Sequence, residues 1–121
     1  MRIYWMIAAF FLLSACSSPS HSQVLDNKNG KASWYGTYHH GKKTASGERF
    51  NQNELTAAHP TLPFGTKVKV TNARSNASVI VRINDRGPYA KDRIIDLSRA
   101  AAQKLKMVNN GVASVHLQVM R

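Results

Sequence analysis

The sequence predicts a small, mainly β domain with one helix, closed into a barrel. Several short segments alternate polar and apolar residues or are rich in β-branched residues, and turn residues separate them at short intervals. Only one segment has helical periodicity. The 121 residues allow one domain, and the single cysteine cannot form an internal disulfide. Closing the sheet is then favoured, because closure removes the exposed strand edges of a chain without disulfides.

The strand and helix signals all follow residue 29. Alternating or β-branched patterns predict four strands, at 31–35, 66–71, 79–83 and 115–119. The one predicted helix covers 97–105, where apolar residues recur every four positions. Either Asp96 or Ser98 is placed to cap its first turn.

The first sixteen residues have the features of an export signal. Arg2 precedes an apolar run from Ile3 to Leu13, whose eleven residues reach about 16 Å as a helix, too short for a bilayer core of about 30 Å. The run ends in Leu-Ser-Ala-Cys, which resembles a bacterial lipobox and predicts cleavage before Cys16 and lipidation of that cysteine. The alternative is an ordinary secretory signal with an incidental buried cysteine.

These features divide the chain into three predicted segments. They are a signal peptide at 1–15, a lipidated cysteine with a flexible polar tether at 16–29, and one folded domain at 30–121. Ser17 and Ser18 follow the cysteine, where an Asp would favour retention in the inner membrane. In a two-membrane bacterium, we therefore expect a lipid anchor in the outer membrane, with the domain on its periplasmic face.

Basic residues outnumber acidic residues by 17 to 6, which gives a net charge of +11. Inside a cell that charge favours nucleic acid as a partner, but export argues against nucleic-acid binding. The polyanions of the envelope include the cell-wall glycan, whose lactyl carboxylates are free wherever stem peptides have been removed. A basic glycan-binding surface is one explanation of the charge. The other is that scattered Lys and Arg keep a small domain soluble.

Aromatic residues cluster around the motif Ala-Ser-Trp-Tyr-Gly. Flat faces on which sugar rings stack are offered by Trp34, Tyr35, Tyr38 and Tyr89. Either Trp34 or Tyr35 could equally belong to the core. Because neighbours on a strand point to opposite faces, we expect one of that pair inside and the other outside.

No metal or cofactor is predicted. His39 and His40 are adjacent, but no Cys, Asp or Glu lies at the usual ligand spacing from them. No nucleotide cofactor is implied either.

Acidic residues fall in the most distinctive motifs. Glu48 follows a glycine in a turn, while Asp85 and Asp96 each follow an apolar stretch and could converge at one mouth of a barrel. His59 ends an apolar stretch before a proline, where its ring would bind either a carboxylate or the backbone. Taken alone, Glu48 is typical of a solvated turn, Asp96 of a helix cap and Asp85 of an Asp-Arg-Gly-Pro turn.

Five stretches, in this order, resemble the rare lipoprotein A (RlpA) family, the septal-ring-type lytic transglycosylases of peptidoglycan. They are 32–36, 44–50, 55–66, 79–88 and 94–102, and 111–119 completes the match. Runs such as Leu-Thr-Ala-Ala-His-Pro-Thr-Leu-Pro-Phe-Gly-Thr and Val-Arg-Ile-Asn-Asp-Arg-Gly-Pro are not expected by chance. The resemblance implies a six-stranded double-psi β-barrel, a fold also seen in expansins.

The resemblance also implies an activity and its residues. The implied catalytic residues are Glu48, His59, Asp85 and Asp96. Substrate-binding roles are expected for Trp34, Tyr35, Asn84, Arg86 and Tyr89. The implied reaction cleaves glycan strands between N-acetylmuramic acid and N-acetylglucosamine, and the C6 hydroxyl of the sugar, not water, closes a 1,6-anhydro ring. One carboxyl can then serve first as acid and afterwards as base.

Nearby charges bear on which carboxyl is the acid. Three arginines would lower the pKa of the two aspartates if they lay close in space, namely Arg82, Arg86 and Arg93. Burial, or repulsion between Glu48 and the aspartates, would raise one pKa. We therefore expect a cluster in which one carboxyl has a raised pKa and another stays ionised, supported by His59.

Two classes of function stay open at this stage. One is an endolytic lytic transglycosylase, and the other is a non-catalytic, expansin-like protein that binds peptidoglycan with the same groove. Asn51 stands where many relatives have Asp, which removes one candidate carboxylate and weakens the enzyme hypothesis. The presence of all four implied catalytic residues favours it.

Overall fold

A computed structural model describes residues 27–120 and shows a closed barrel of six strands. The strands are β1 (Asn27–Trp34), β2 (Thr56–Ala58), β3 (Lys67–Asn72), β4 (Ser78–Asp85), β5 (Arg93–Leu97) and β6 (Val112–Met120). One helix, α1 (Arg99–Lys104), and a short 3-10 turn (Thr37–His39) complete the secondary structure. The predicted mainly β, closed six-stranded architecture is confirmed.

The strand order around the barrel is β1-β5-β2-β4-β3-β6, closing back on β1. β1 pairs with β5, and β2 with β4, in parallel, whereas the other neighbours are antiparallel. Alternate residues of the strands point inward and meet α1 in one core. The largest fully buried apolar side chains are Ile83, Ile95, Leu97, Leu105, Met107, Val68, Val70 and Val81.

All four predicted strands are present, and the two that the sequence did not indicate are β2 and β5. β1 already begins at Asn27, ahead of the predicted domain boundary at 30, because residues 27–29 pair with β6. The helix is shorter than predicted, since Leu97 belongs to β5. Ser98 is its N-cap, and Asp96 lies within β5 instead.

β2 is the shortest strand and the most enclosed one. All three of its residues are buried, and it lies between β4 and β5. Ala57 pairs with Ile83 on one side and with Leu97 on the other, so small side chains occupy the centre of this part of the sheet. Ala58 then pairs with Asp85 and with Asp96, which places two carboxylates on either side of one alanine.

The predicted signal peptide, Cys16 and most of the tether lie outside the described residues. Between residues 27 and 120, no helix is long and apolar enough to cross a membrane.

Ser98 joins α1 to the segment before β2. Its hydroxyl donates to the carbonyl of Glu54 (2.6 Å) and accepts from the backbone N–H of Ala101 (3.2 Å), and its side chain is fully buried. We expect Ser98→Ala to lower the free energy of unfolding by about 1–2 kcal/mol, because it removes the cap of the Ala101 N–H and leaves the Glu54 carbonyl with the N–H of Thr56 alone. Urea denaturation would measure the loss. Ser78→Ala, at an exposed position of β4, is the matched control, and an equal loss there would contradict the role of Ser98.

Candidate functional site

Two aspartates lie side by side on the outer face of the barrel. Asp96 lies between Ile95 and Leu97, which are both fully buried in the core, so the side chain of Asp96 points outward. Asp85 and Asp96 are both paired with Ala58, from opposite sides of β2. Neighbouring strands are about 4.8 Å apart, so the two backbones are about 10 Å apart and their side chains extend from the same face.

A β-bulge brings Asp85 to this face. Ala57 pairs with Ile83, but Ala58 pairs with Asp85, so Asn84 is an extra residue in β4. Without the extra residue, strict alternation from the buried Ile83 would turn Asp85 toward the interior. The bulge therefore aligns Asp85 with Ala58 and Asp96.

Asp85 accepts hydrogen bonds from three different segments. The hydroxyl of Tyr35 donates to Oδ2 (2.7 Å), and the backbone N–H groups of Ala45 and Arg86 donate to Oδ1 (2.9 Å each). An ionised carboxylate is a pure acceptor, and these three donors match that form. Asp85 is thus fixed in position as the acceptor of a small network.

Asp96 has a different environment. Its one side-chain partner among the described residues is the hydroxyl of Ser33, which donates to Oδ1 (2.6 Å) from the adjacent position of β1. Burial raises the pKa of Asp96 above its ordinary value, and the negative charge of Asp85 adds to the rise. The hydrogen bond from Ser33 and the positive charges of His39 and Arg93 oppose the rise without cancelling it. The two aspartates therefore differ in environment, because three donors hold Asp85 whereas Asp96 is buried beside one.

Glu48 has its own hydrogen-bond partners, separate from those of Asp85 and Asp96. The turn that presents it is closed by Thr44, whose hydroxyl donates to the carbonyl of Glu48 (2.7 Å), and by Gly47, whose φ of 98° favours glycine. The Glu48 carboxylate accepts from Asn84 (2.7 Å) and forms an ion pair with Arg82 (3.0 Å). These contacts, the bond from Asn84 foremost, lower the pKa of Glu48. Arg82 thus neutralises Glu48 and not the aspartates.

His59 binds the backbone and not a carboxylate. Its Nδ1 accepts from the N–H groups of Thr61 (3.2 Å) and Leu62 (3.1 Å), so the ring proton is on Nε2. Burial, together with the positive charges of Lys28 and Arg86, lowers the pKa of His59 to about 4. The ring is therefore neutral at physiological pH and fixes the loop after β2, while its backbone N–H bonds the carbonyl of Asp85 (3.1 Å).

The aromatic candidates have separate roles. Trp34 packs against the core and Tyr35 faces outward, as the alternation predicted, although both are half-buried. The ring of Tyr35 packs edge-on against Phe50, and burial, followed by the bond to Asp85, raises its pKa well above the ordinary value, so it stays a neutral donor. Tyr38 and Tyr89 are 76% and 81% exposed, and the ammonium of Lys42 lies over one face of the Tyr38 ring (3.5 Å).

Two residues predicted to bind substrate have side chains that form hydrogen bonds within the protein. Asn84 is buried, and its side-chain amide bonds Glu48. The guanidinium of Arg86 donates to the carbonyls of His59 (3.2 Å) and Leu62 (2.8 Å) and lies over the ring of Phe64. Both side chains therefore shape the loops around the aspartates. The side-chain oxygen of Asn51 accepts from the N–H of Asn53 in a local turn.

Sequence reasoning did not single out Ser33 and Ala45, which contact the two aspartates. Ser33 lies inside the quoted aromatic motif, but only the pairing of β1 with β5 shows that it faces Asp96. Ala45 acts through its backbone N–H, which leaves no signal in the residue type. Within the part of the chain that the structure describes, no group of three or more His, Cys, Asp or Glu side chains is arranged to hold a metal ion.

Comparisons with known proteins agree with this geometry. A family model described as lytic transglycolase matches residues 27–117. A probable endolytic peptidoglycan transglycosylase RlpA from Synechocystis sp. is 60% identical over 94 residues, and an endolytic peptidoglycan transglycosylase RlpA from Campylobacter jejuni is 53% identical over 102 residues. The chain belongs to the RlpA family.

The RlpA relatives are longer proteins. The alignments cover 78% and 84% of this chain but 29% and 37% of the two relatives, so this chain spans less than half of their length. The barrel is also similar to an expansin of Clavibacter michiganensis, with a TM-score of 0.63 and 20% identity over 78% of this chain and 50% of the expansin. That likeness supports the double-psi β-barrel fold.

The lowered pKa of His59 predicts a pH dependence of stability. Below pH 6.5 the unfolded chain binds a proton at this histidine, whereas the folded chain does not bind it until about pH 4. We therefore expect His59 to make stability fall as the pH is lowered from about 6.5 to about 4. Urea denaturation across this range would show a shallower decline in His59→Asn than in wild type. His116→Asn is the control, and an equal change in both variants would contradict the assignment.

Proposed function

We propose that this chain is an endolytic peptidoglycan lytic transglycosylase. It would cleave the bond between N-acetylmuramic acid and N-acetylglucosamine and leave a 1,6-anhydro end on the muramic acid. Membership of the RlpA family and the names of its relatives support this proposal. The observation that carries it is the pair of aspartates beside Ala58, of which one has a raised pKa and the other is held by three donors.

Asp96 is the proposed general acid. A general acid must hold a proton before the reaction, and burial raises the pKa of Asp96 in that direction. Glu48 has the opposite property, because Asn84 and Arg82 lower its pKa. Asp96 is also partly exposed, so its carboxyl can approach a glycosidic oxygen on the surface.

Asp85 is the proposed stabilising carboxylate. Glycoside cleavage passes through a transition state in which the anomeric carbon becomes positively charged. A fixed negative charge on the same face would stabilise that carbon, and the donors from Tyr35, Ala45 and Arg86 hold the carboxylate in place. The neutral hydroxyl of Tyr35 adds no competing charge.

The proposed reaction needs no water and no cofactor. The carboxyl of Asp96 donates its proton to the bridging oxygen, and the bond between that oxygen and the anomeric carbon of muramic acid breaks. The C6 hydroxyl of the same sugar attacks the anomeric carbon, and its proton passes to the Asp96 carboxylate. The acid is thereby restored, and one carboxyl serves both steps, so the fixed spacing of two carboxyls in ordinary glycosidases is not required.

A second candidate function uses the same surface without cleavage. The expansin likeness and the Asn51 substitution favour a wall-binding protein in which Tyr38 and Tyr89 stack on sugar rings. The different environments of the two aspartates favour the enzyme, because stacking alone needs no raised carboxyl pKa. The cleavage assay below separates the two functions.

We also propose that the chain works in the cell envelope. The sequence of residues 1–16 supports an export signal and a lipid attached to Cys16, which would hold the barrel at the periplasmic face of the outer membrane. Peptidoglycan is the polymer within reach of such an anchor.

Cleavage of purified sacculi, read by mass spectrometry of 1,6-anhydro products, tests the proposed function. We expect Asp96→Asn to lower the rate about 10²-fold or more, because it removes the acid. Asp85→Asn should also lower the rate, because it removes the stabilising charge. Asp92→Asn removes an exposed carboxylate elsewhere and should leave the rate unchanged. Folded wild-type protein that binds sacculi without anhydro products would establish the wall-binding alternative.

Ser33 provides a test of the acid that does not depend on loss of activity. Its hydrogen bond lowers the pKa of Asp96, so Ser33→Ala should raise that pKa further. Because Asp96 must be protonated, the basic limb of the pH–rate profile should move to higher pH in Ser33→Ala. Ser78→Ala should leave the limb in place. A move to lower pH, or no move, would exclude Asp96 as the acid.

A further inference from the structure

A basic groove lies on the outer face of β1 and β6. It consists of two adjoining concavities of about 540 and 420 Å³ that share Lys31, Ala73 and Ser114. The larger one is lined by Arg74 and Asn110 as well. Its volume is that of a site for a small ligand or for one unit of a polymer.

Two turns form the walls of this groove. One follows β3, where the buried side chain of Asn72 donates to the carbonyl of Leu105 (2.7 Å) and accepts from the N–H of Arg74 (2.9 Å). The other leads into β6 and closes at Gly111, whose φ of 76° favours glycine and whose N–H bonds the carbonyl of Met107 (2.9 Å). Buried and backbone contacts thus hold the backbone of Arg74 and the opposite wall in place.

The charge of the groove has one sign. Lys31 and Arg74 line it, and no acidic residue does. Within residues 27–120 neither side chain forms an ion pair, although Arg82 and Arg93 do. Asn110 and Ser114 add neutral hydrogen-bonding groups of the kind that bind sugar hydroxyls. The lining therefore fits a sugar that bears a negative charge.

β1 and β6 connect the groove to the site of the aspartates, because Val112, which lines the larger concavity, pairs with Ser33. Ser33, which bonds Asp96, is two residues after Lys31. Because residues i and i+2 of a strand share a face, Lys31 and Ser33 point the same way and are separated by about 6.7 Å along the strand. A chain of sugars that passes Asp96 would meet Lys31 next.

We propose that Lys31 and Arg74 form an anion subsite that binds a carboxylate on the glycan strand beside the cleavage point. This inference rests on the proposed function for its substrate. The carboxylate belongs either to a free lactyl group or to a stem peptide, and both are acidic groups of the same polymer. Binding at this subsite would position the strand across Asp96 and add affinity remote from the reacting bond.

Equilibrium binding to defined glycan strands tests the subsite. All chains start at residue 17, which keeps the whole closed barrel, and carry Asp96→Asn so that binding is measured without cleavage. The test variant is Lys31→Gln with Arg74→Gln, and Lys69→Gln with Lys104→Gln removes the same charge outside the groove. The probes are amidase-stripped strands with free lactyl carboxylates, the same strands after esterification, and intact sacculi.

We expect the test variant to raise the Kd for stripped strands about tenfold or more, the effect of losing a charge-assisted hydrogen bond. The control pair should change it less than twofold, and on esterified strands the test variant and its parent should bind alike. A larger effect on stripped strands than on sacculi assigns the subsite to the lactyl carboxylate, and the reverse assigns it to stem peptides.

Several results would overturn the subsite. They are an equal loss in the control pair, an equal loss on esterified strands, and no measurable binding by the parent chain. Failure of the proposed function is a different result, because it shows as wild-type protein that yields no anhydro products while the Kd difference persists.

Discussion

The pairing of β2 with two neighbours is the constraint on which the site depends. β2 has three residues, all buried, and backbone pairing fixes β4 on one side of it and β5 on the other. Ala58 is the common partner of both aspartates, so no loop has to bring Asp85 and Asp96 together. The bulge at Asn84 completes the alignment, because it turns Asp85 outward where strict alternation would bury it. The backbone thus sets the relation between the carboxyls before any side-chain contact is made.

The difference between the two aspartates follows from hydrogen bonding and burial. Three donors surround Asp85, whereas Asp96 has one donor, the hydroxyl of Ser33. Burial raises the pKa of Asp96. The negative charge of Asp85 contributes as well, since it disfavours ionisation of Asp96. The arginines close in sequence do not reverse this, because Arg82 is paired with Glu48 and Arg86 with backbone carbonyls.

The sequence predicts the barrel better than it predicts the site. Alternation and β-branching indicate β1, β3, β4 and β6, but β2 is too short to show a period and β5 runs directly into the helical pattern at Leu97. The importance of the two aspartates was inferred from motifs, whereas their arrangement requires the parallel pairing of β2 with β4. Asn84 and Arg86 are expected from the sequence to face substrate, but their side chains form hydrogen bonds within the protein. The residue types alone do not indicate these partners.

The acidic side chains are confined to one part of the barrel. The acidic residues that the structure describes all lie in β4, β5 and the loops that lead to β2 and β5. β1, β3 and the turn after β3 contribute cations without acidic neighbours, Lys31 and Arg74 among them. A polyanion that crosses the face would be attracted by the groove and repelled by the aspartates, except where one of its sugars is neutral. This arrangement favours a bound strand whose carboxylates lie in the groove and whose neutral part lies at Asp96.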